Sequence, residues 1–188
     1  MKLRALFEMP QYVNKEIPTL DMGEHKPFYT QRSMSEKYNI LATTPYYVGI
    51  SKDGTFGFIG EAGNRADDNA PGAFILGSIE FKSNLNISSL RHLLPNKKVL
   101  QVDGVEVSKL YNRRGIGYYL YFTLIQAGYV VISDNLQYMG GKAIWKKIAA
   151  KTISNQYKVY VMQDMKVLMQ DNKPIVYDSN NIDDCEIW

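Results

Sequence analysis

The chain has 188 residues, 45% of them hydrophobic and 22% charged, which excludes disorder on a domain scale and leaves room for one real core. A formal net charge of +3 gives no argument by itself for a nucleic-acid partner. The one cysteine, Cys185, cannot form an internal disulfide or a cysteine zinc cluster, and it fits a reducing compartment.

Leu3, Ala5 and Phe7 alternate with charged neighbours, predicting a first strand over residues 1–10. The same segment is too short and too charged for a secretion signal. Pro18, Pro27 and Pro45 interrupt residues 11–45, where Ser33 to Leu41 predicts a short helix with Ser33 or Ser35 near its start. Tyr46 to Ile50 and Thr55 to Ile59 flank Asp53-Gly54, a strong turn pair, and predict a hairpin. Glu61 to Pro71 reads as a polar loop. Ala73 to Phe81 reads as a strand with Phe74, Leu76 and Ser78 on one face, and Ile87 to Leu94 as a short helix.

Lys98 to Leu110 is the next predicted strand, broken at Asp103-Gly104. Gly115 to Ala127 has helical spacing, with Leu120, Leu124 and Ala127 on one face and Tyr121 and Ile125 beside them. Tyr129 to Ile132 is a short apolar run of the kind found in buried strands. Gly141 to Lys151 predicts a helix with Ile144, Trp145 and Ile148 inward and Lys142, Lys146, Lys147 and Lys151 outward. Val159 to Met162, Val167 to Met169 and Ile175 to Tyr177 read as strands joined at Gln163-Asp164 and Asp171-Asn172. No apolar run is long enough to span a bilayer. The pattern predicts a mixed α/β (α+β) domain over residues 1–178, followed by an acidic, loose tail at 179–188. A soluble, cytoplasmic protein is expected.

The strongest local feature is Arg113-Arg114-Gly115-Ile116-Gly117. Gly115 and Gly117 let the backbone turn tightly and an anion come close. They lie where a predicted strand meets a predicted helix, whose first N–H groups lack internal partners and whose dipole is positive at that end. A phosphate is a natural guest there. Arg113 and Arg114 add two permanent cations suited to phosphate oxygens. The plain alternative is a turn that needs glycine for steric reasons, beside two solvated arginines. A Walker loop is excluded because no Lys-Ser or Lys-Thr follows, and the dinucleotide fingerprint because its third glycine is missing.

In its setting, Val105 and Val107, then Tyr111-Asn112-Arg113-Arg114-Gly115-Ile116-Gly117, then Leu120 and Leu124, resembles the acetyl-CoA-binding segment of the GCN5-related N-acetyltransferases (GNAT). That family carries an Arg/Gln-x-x-Gly-x-Gly/Ala turn after its fourth strand. The order of elements over roughly residues 70–178 is also similar. The segment Ser133 to Trp145 resembles acetyltransferase-like proteins of tailed bacteriophages. The resemblance implies a mostly antiparallel central sheet of about six to seven strands flanked by helices. It implies acetyl-CoA as co-substrate, with the pantetheine arm on the strand backbone near Val105 to Val107. The pyrophosphate would lie on Asn112, Arg113, Arg114, Gly115, Ile116 and Gly117. Three departures stand out: Asn112 opens the turn in place of Gln or Arg, Trp145 occupies the register of a tyrosine acid, and Tyr138 replaces an asparagine seven residues earlier.

Acyl transfer to an amine needs a base, a polarised carbonyl and a route for protonating the thiolate. Glu106, Glu80 and Asp103 are the candidate bases, each with a plain reading as an exposed strand carboxylate. Tyr138 is the candidate phenol, and the Val107 N–H can polarise the thioester carbonyl. His25 and His92 read as surface or capping residues, and no metal-ligand spacing is found. Two functions follow. One is an acyl-CoA-dependent N-acetyltransferase acting on a small-molecule or protein amine. The other is an inactive binding or virion-associated module of the same fold. A homodimer or a phage or host protein remains open as partner, while membrane and nucleic acid are disfavoured. If the chain is phage-encoded, the host cytoplasm is its compartment, with the virion as the other place.

Overall fold

The computed structural model describes residues 5–8, 11–13, 19–20, 27–82, 96–111, 113–133, 136–151, 157–164 and 166–177, with backbone alone at 5–8, 11–13, 19–20, 136–140 and 151. The first strands are β1 (Ala5–Glu8), β2 (Gln11–Val13), β3 (Thr19–Leu20), β4 (Phe28–Thr30), β5 (Tyr38–Ala42), β6 (Tyr47–Ser51), β7 (Phe56–Asn64) and β8 (Pro71–Phe81). Then come β9 (Val99–Ser108), β10 (Val130–Ile132), β11 (Leu136–Tyr138), β12 (Val159–Gln163), β13 (Lys166–Val167), β14 (Met169–Gln170) and β15 (Lys173–Pro174). The helices are α1 (Gln31–Lys37), α2 (Ile116–Gln126) and α3 (Met139–Lys151). The predicted helix at Ile87 to Leu94 and the tail at 179–188 lie outside the described residues.

Backbone contacts divide the chain into two compact units. The first holds Met1–Ile17, Asn84–Asp103 and Leu124–Trp188, and the second holds Pro18–Ser83 and Gly104–Thr123. Strand β9 and helix α2 each contribute to both. The fold is mixed α+β: the second unit is mostly antiparallel and the first mostly parallel.

In the first unit β10 pairs in parallel with β1 and with Val99 to Gln101 of β9, and β1 pairs in parallel with β12. Val130, Val131 and Ile132 are each fully buried. Consecutive strand residues point to opposite faces, so both faces of β10 are covered, as its unbroken apolar run predicts. β12 turns back antiparallel into β13 through Asp164, at φ 49°. β14 and β15 form a hairpin through Asp171-Asn172, at φ 49° and 59°. Such a pair of left-handed residues suits the tight turn that matches strand twist. The predicted strand at Ile175 to Tyr177 is reduced to one bridge between Tyr160 and Val176.

In the second unit β9, β8, β7, β6 and β5 lie side by side in that order. The pairs from β8 to β5 are antiparallel, β4 pairs antiparallel with the start of β8, and β3 pairs in parallel with β9. The hairpin at Asp53 forms as predicted. The Asp53 carboxylate accepts from the Thr55 N–H at 3.0 Å, and the Ser51 hydroxyl donates to it at 2.5 Å. These bonds hold the Asp53 carboxyl below its usual range, with the Ser51 bond the largest cause.

Three expectations are corrected. The helix predicted over Ser33 to Leu41 runs from Gln31 to Lys37. Its cap is Thr30, whose hydroxyl accepts from the Ser33 N–H at 3.2 Å. The chain leaves the helix at Tyr38 in extended geometry because Tyr38 to Ala42 is better spent as β5 on β6. The polar stretch from Glu61 is still strand up to Asn64, since backbone pairing to β8 outweighs its polarity. The strand from Lys98 is not broken at Asp103-Gly104: both residues lie in β9, although the division between the units falls there. Within β8 the fully buried residues include Ala73, Ile75 and Ile79 as well as Leu76, while Phe74 and Ser78 are half-buried.

The turn between β7 and β8 is clipped by Arg65 and Asp68. The guanidinium donates twice to the carboxylate, once at 3.0 Å, and the Ala70 N–H donates to it at 3.1 Å. The arginine bond, then the backbone bond, lower the Asp68 carboxyl from 3.8 to about 2. A depressed carboxylate contributes stability above its unfolded pKa and loses it as pH falls through the folded one. The clip is therefore expected to open only as pH falls through about 2. A carboxyl titration by NMR should place the Asp68 midpoint there, whereas a midpoint at the ordinary 3.8 would show that the pair does not persist in solution.

Candidate functional site

The glycine turn lies wholly in the second unit. β9 runs to Ser108, a 3-10 turn covers Lys109–Tyr111, and α2 begins at Ile116. Arg113 has φ 63° and Gly115 φ 79°, both left-handed. Glycine takes that conformation without steric penalty, and a Cβ on Gly115 would meet nothing within 4 Å. Gly115 is therefore required by backbone geometry rather than by crowding. Its carbonyl accepts the Tyr119 N–H at 2.9 Å, which fixes the start of the helix. The N–H groups of a first helical turn have no carbonyl within their own helix to bond.

Burial sorts the turn into two parts. Ile116 is buried, with Leu120, Leu124 and Ile125 behind it on α2. Gly117 is also buried, and Ala127 is exposed rather than on the buried face. Arg113 and Arg114 are exposed. The apolar stripe thus anchors the helix while both cations stay at the surface. Arg114 lies over the Tyr111 ring, 5.2 Å from its centroid, an attraction between cation and ring face. The Tyr111 hydroxyl donates to Glu61 Oε2 at 3.3 Å. On the next turn the Tyr119 hydroxyl donates to the Thr44 carbonyl at 3.0 Å, and its ring meets Tyr46 edge-on at 5.5 Å. Tyr111, Glu61 and Tyr119 are contributions to this region that pattern reasoning missed. Only the placing of Tyr111 just ahead of the arginines signalled one of them.

Along β9, Val105 and Val107 are half-buried and Glu106 is exposed. Gly77 of β8 faces this segment: a Cβ there would lie 2.7 Å from the Glu106 carbonyl oxygen and 3.4 Å from a Val107 methyl. Only a residue without a side chain permits that approach. Val107 therefore shares its face with Gly77, and by strand alternation Glu106 and Glu80 share the opposite face. Glu80 is also exposed, as is Asp103. The structure thus brings two of the predicted bases onto one face of neighbouring strands. Val107 and Ser108 are themselves paired in parallel with Thr19 and Leu20 of β3.

Asn112 lies outside the described residues, as do His25 and His92. Tyr138 closes β11, and its side chain is likewise undescribed. Trp145 of α3 is fully buried, a core position rather than a proton donor. Lys142 and Lys146 of the predicted basic face are half-buried, and Lys147 is exposed. Among the described residues no group of three or more His, Cys, Asp or Glu side chains gathers where it could hold a metal ion. No described helix is long and apolar enough to cross a membrane. No family model, curated protein or solved structure matches this chain.

Proposed function

We propose that the chain is an acyl-CoA-dependent N-acyltransferase of GNAT-like fold, moving an acetyl group from acetyl-CoA to an amine. The observation that carries this reading is the turn itself. Left-handed backbone at Arg113 and Gly115 leads into a well-anchored helix with two exposed arginines at its amino end. Backbone N–H groups, helix dipole and guanidinium groups together favour a pyrophosphate. In the reaction the amine nitrogen attacks the thioester carbon, forming a C–N bond while the C–S bond breaks. The amine proton passes to a base and the leaving thiolate takes up a proton. Exposure of Glu106 and Glu80 on one strand face supports a base acting directly or through water.

The second reading, a coenzyme-binding module without turnover, is favoured by one specific observation: the fully buried Trp145 at the register of the family's tyrosine. Calorimetric titration of acetyl-CoA, followed by a thioester-loss assay over a panel of amines, separates the two. Binding with turnover is the expected result. Binding without thioester loss on any amine would leave the module, and no binding at all would remove both.

A further inference from the structure

We propose that Thr19–Leu20 is an internal strap that competes with the acyl arm of the coenzyme for the edge of β9 at Val107–Ser108. Granted the acyl-CoA reading above, on which the strap depends, the arm has little choice of path. It is an extended chain with two amides, tied to a pyrophosphate at the start of α2. Its amides need backbone partners, and β9 is the strand that runs directly into the turn. One edge of β9 borders β8, its neighbour in the sheet, whose Gly77 comes close to the Glu106 carbonyl. The other edge holds β3, with Thr19 opposite Val107 and Leu20 opposite Ser108, in parallel.

The ladder is only two residue pairs long. An arm carrying two amides can replace it with little net change in hydrogen bonding, so the exchange is reversible rather than a permanent block. An unfilled strand edge invites wrong pairing. The strap thus protects the edge in the resting protein and yields to the coenzyme, which lowers apparent affinity by the fraction of molecules with the strap in place.

The test uses the full chain and two probes: acetyl-CoA, and ADP, which has a pyrophosphate and no arm. With the Glu106 carbonyl on the β8 side, the Val107 carbonyl faces β3, where the register makes Leu20 its donor, and Leu20→Pro removes that donor. It is expected to tighten acetyl-CoA about tenfold and to leave ADP affinity unchanged. In the unsubstituted protein, saturating acetyl-CoA should speed hydrogen exchange at Leu20, and ADP should not. That second measurement decides alone if Leu20→Pro fails to fold. Unchanged acetyl-CoA affinity with unchanged exchange overturns the strap and leaves the coenzyme site standing. Equal tightening of both probes also overturns it, because the effect would not depend on the arm. If neither protein binds acetyl-CoA, the coenzyme reading falls and the strap with it.

Discussion

Replacing Arg113 and Arg114 together with alanine is expected to weaken acetyl-CoA binding about a hundredfold while leaving the fold intact. Two hydrogen bonds to charged groups are worth ~1.5–3 kcal/mol each when well formed, and screening at an exposed site trims that sum. A hundredfold loss corresponds to ~2.7 kcal/mol, which falls inside the trimmed range. Both side chains are exposed, so their removal opens no cavity, and surface changes of this kind cost little stability. Arg114→Ala also gives up the contact with the Tyr111 ring, a small exposed term. Binding by the parent protein should weaken with added salt, and the double variant should lose most of that dependence. Calorimetry at low and high salt reads both effects. Affinity within about twofold of the parent, with an unchanged salt slope, would remove the pyrophosphate from this turn.

The same comparison shows why the arginines are a better probe than the glycines. Gly117 is buried in the first turn of α2. A bulky residue there would overpack the helix seat, at a cost of ~1–3 kcal/mol or more, and confuse lost binding with lost folding. At Gly115 the space is open but the backbone is left-handed. A side chain would strain the turn without blocking it, so the readout would again be mixed.

How much of this was legible in the chain varies with the physics behind each element. The hairpin at Asp53-Gly54 and the buried strand β10 were readable because turn chemistry and apolar runs are local. The glycine turn was readable for the same reason, down to the need for glycine before α2. The start of α1 was missed by a few residues because Thr30 is an equally good cap just upstream of the serines, and only the Ser33 N–H bond decides between them. β5 was lost inside that helix because Tyr38 to Ala42 owes its conformation to pairing with β6, a partner distant in sequence. The bond from Tyr111 to Glu61 and the pairing of β3 with β9 are long-range as well, and no periodicity within one element encodes either. Glu80 and Glu106 were separate candidates in the sequence. Their common face becomes visible only once Gly77 fixes which residues of β8 and β9 look the same way.

Phe58→Ala is expected to be the most destabilising single truncation in the second unit, at ~3–5 kcal/mol. Phe58 is fully buried on β7, clustered with Met34 of α1 and Ala73 and Ile75 of β8. Its ring meets Tyr38 edge-on at 4.8 Å and Tyr29 at 5.3 Å. It also lies against Gly49, where an added Cβ would approach the ring to 2.6 Å. Removing it leaves a cavity walled by strands held on both sides by ladders, so collapse is limited and the cavity term persists. Each lost aromatic pair adds ~0.5–1.5 kcal/mol. Against a typical total of ~5–15 kcal/mol, much of the stability is lost in one step. Urea unfolding should show a lower midpoint with an unchanged slope. The Tyr38 phenol supplies an independent check. Burial first, then its hydrogen bond with Tyr29, raise it well above its ordinary value. A raised phenol stabilises the fold below the unfolded pKa of 10.0, and that contribution fades as pH rises beyond it. Wetting the cavity should bring the Tyr38 titration back toward its ordinary value, and the alkaline loss of stability linked to it should shrink. A loss below ~1 kcal/mol with unaltered tyrosine titration would mean that α1 and β5 repack around the gap, and that this cluster does not hold the second unit together.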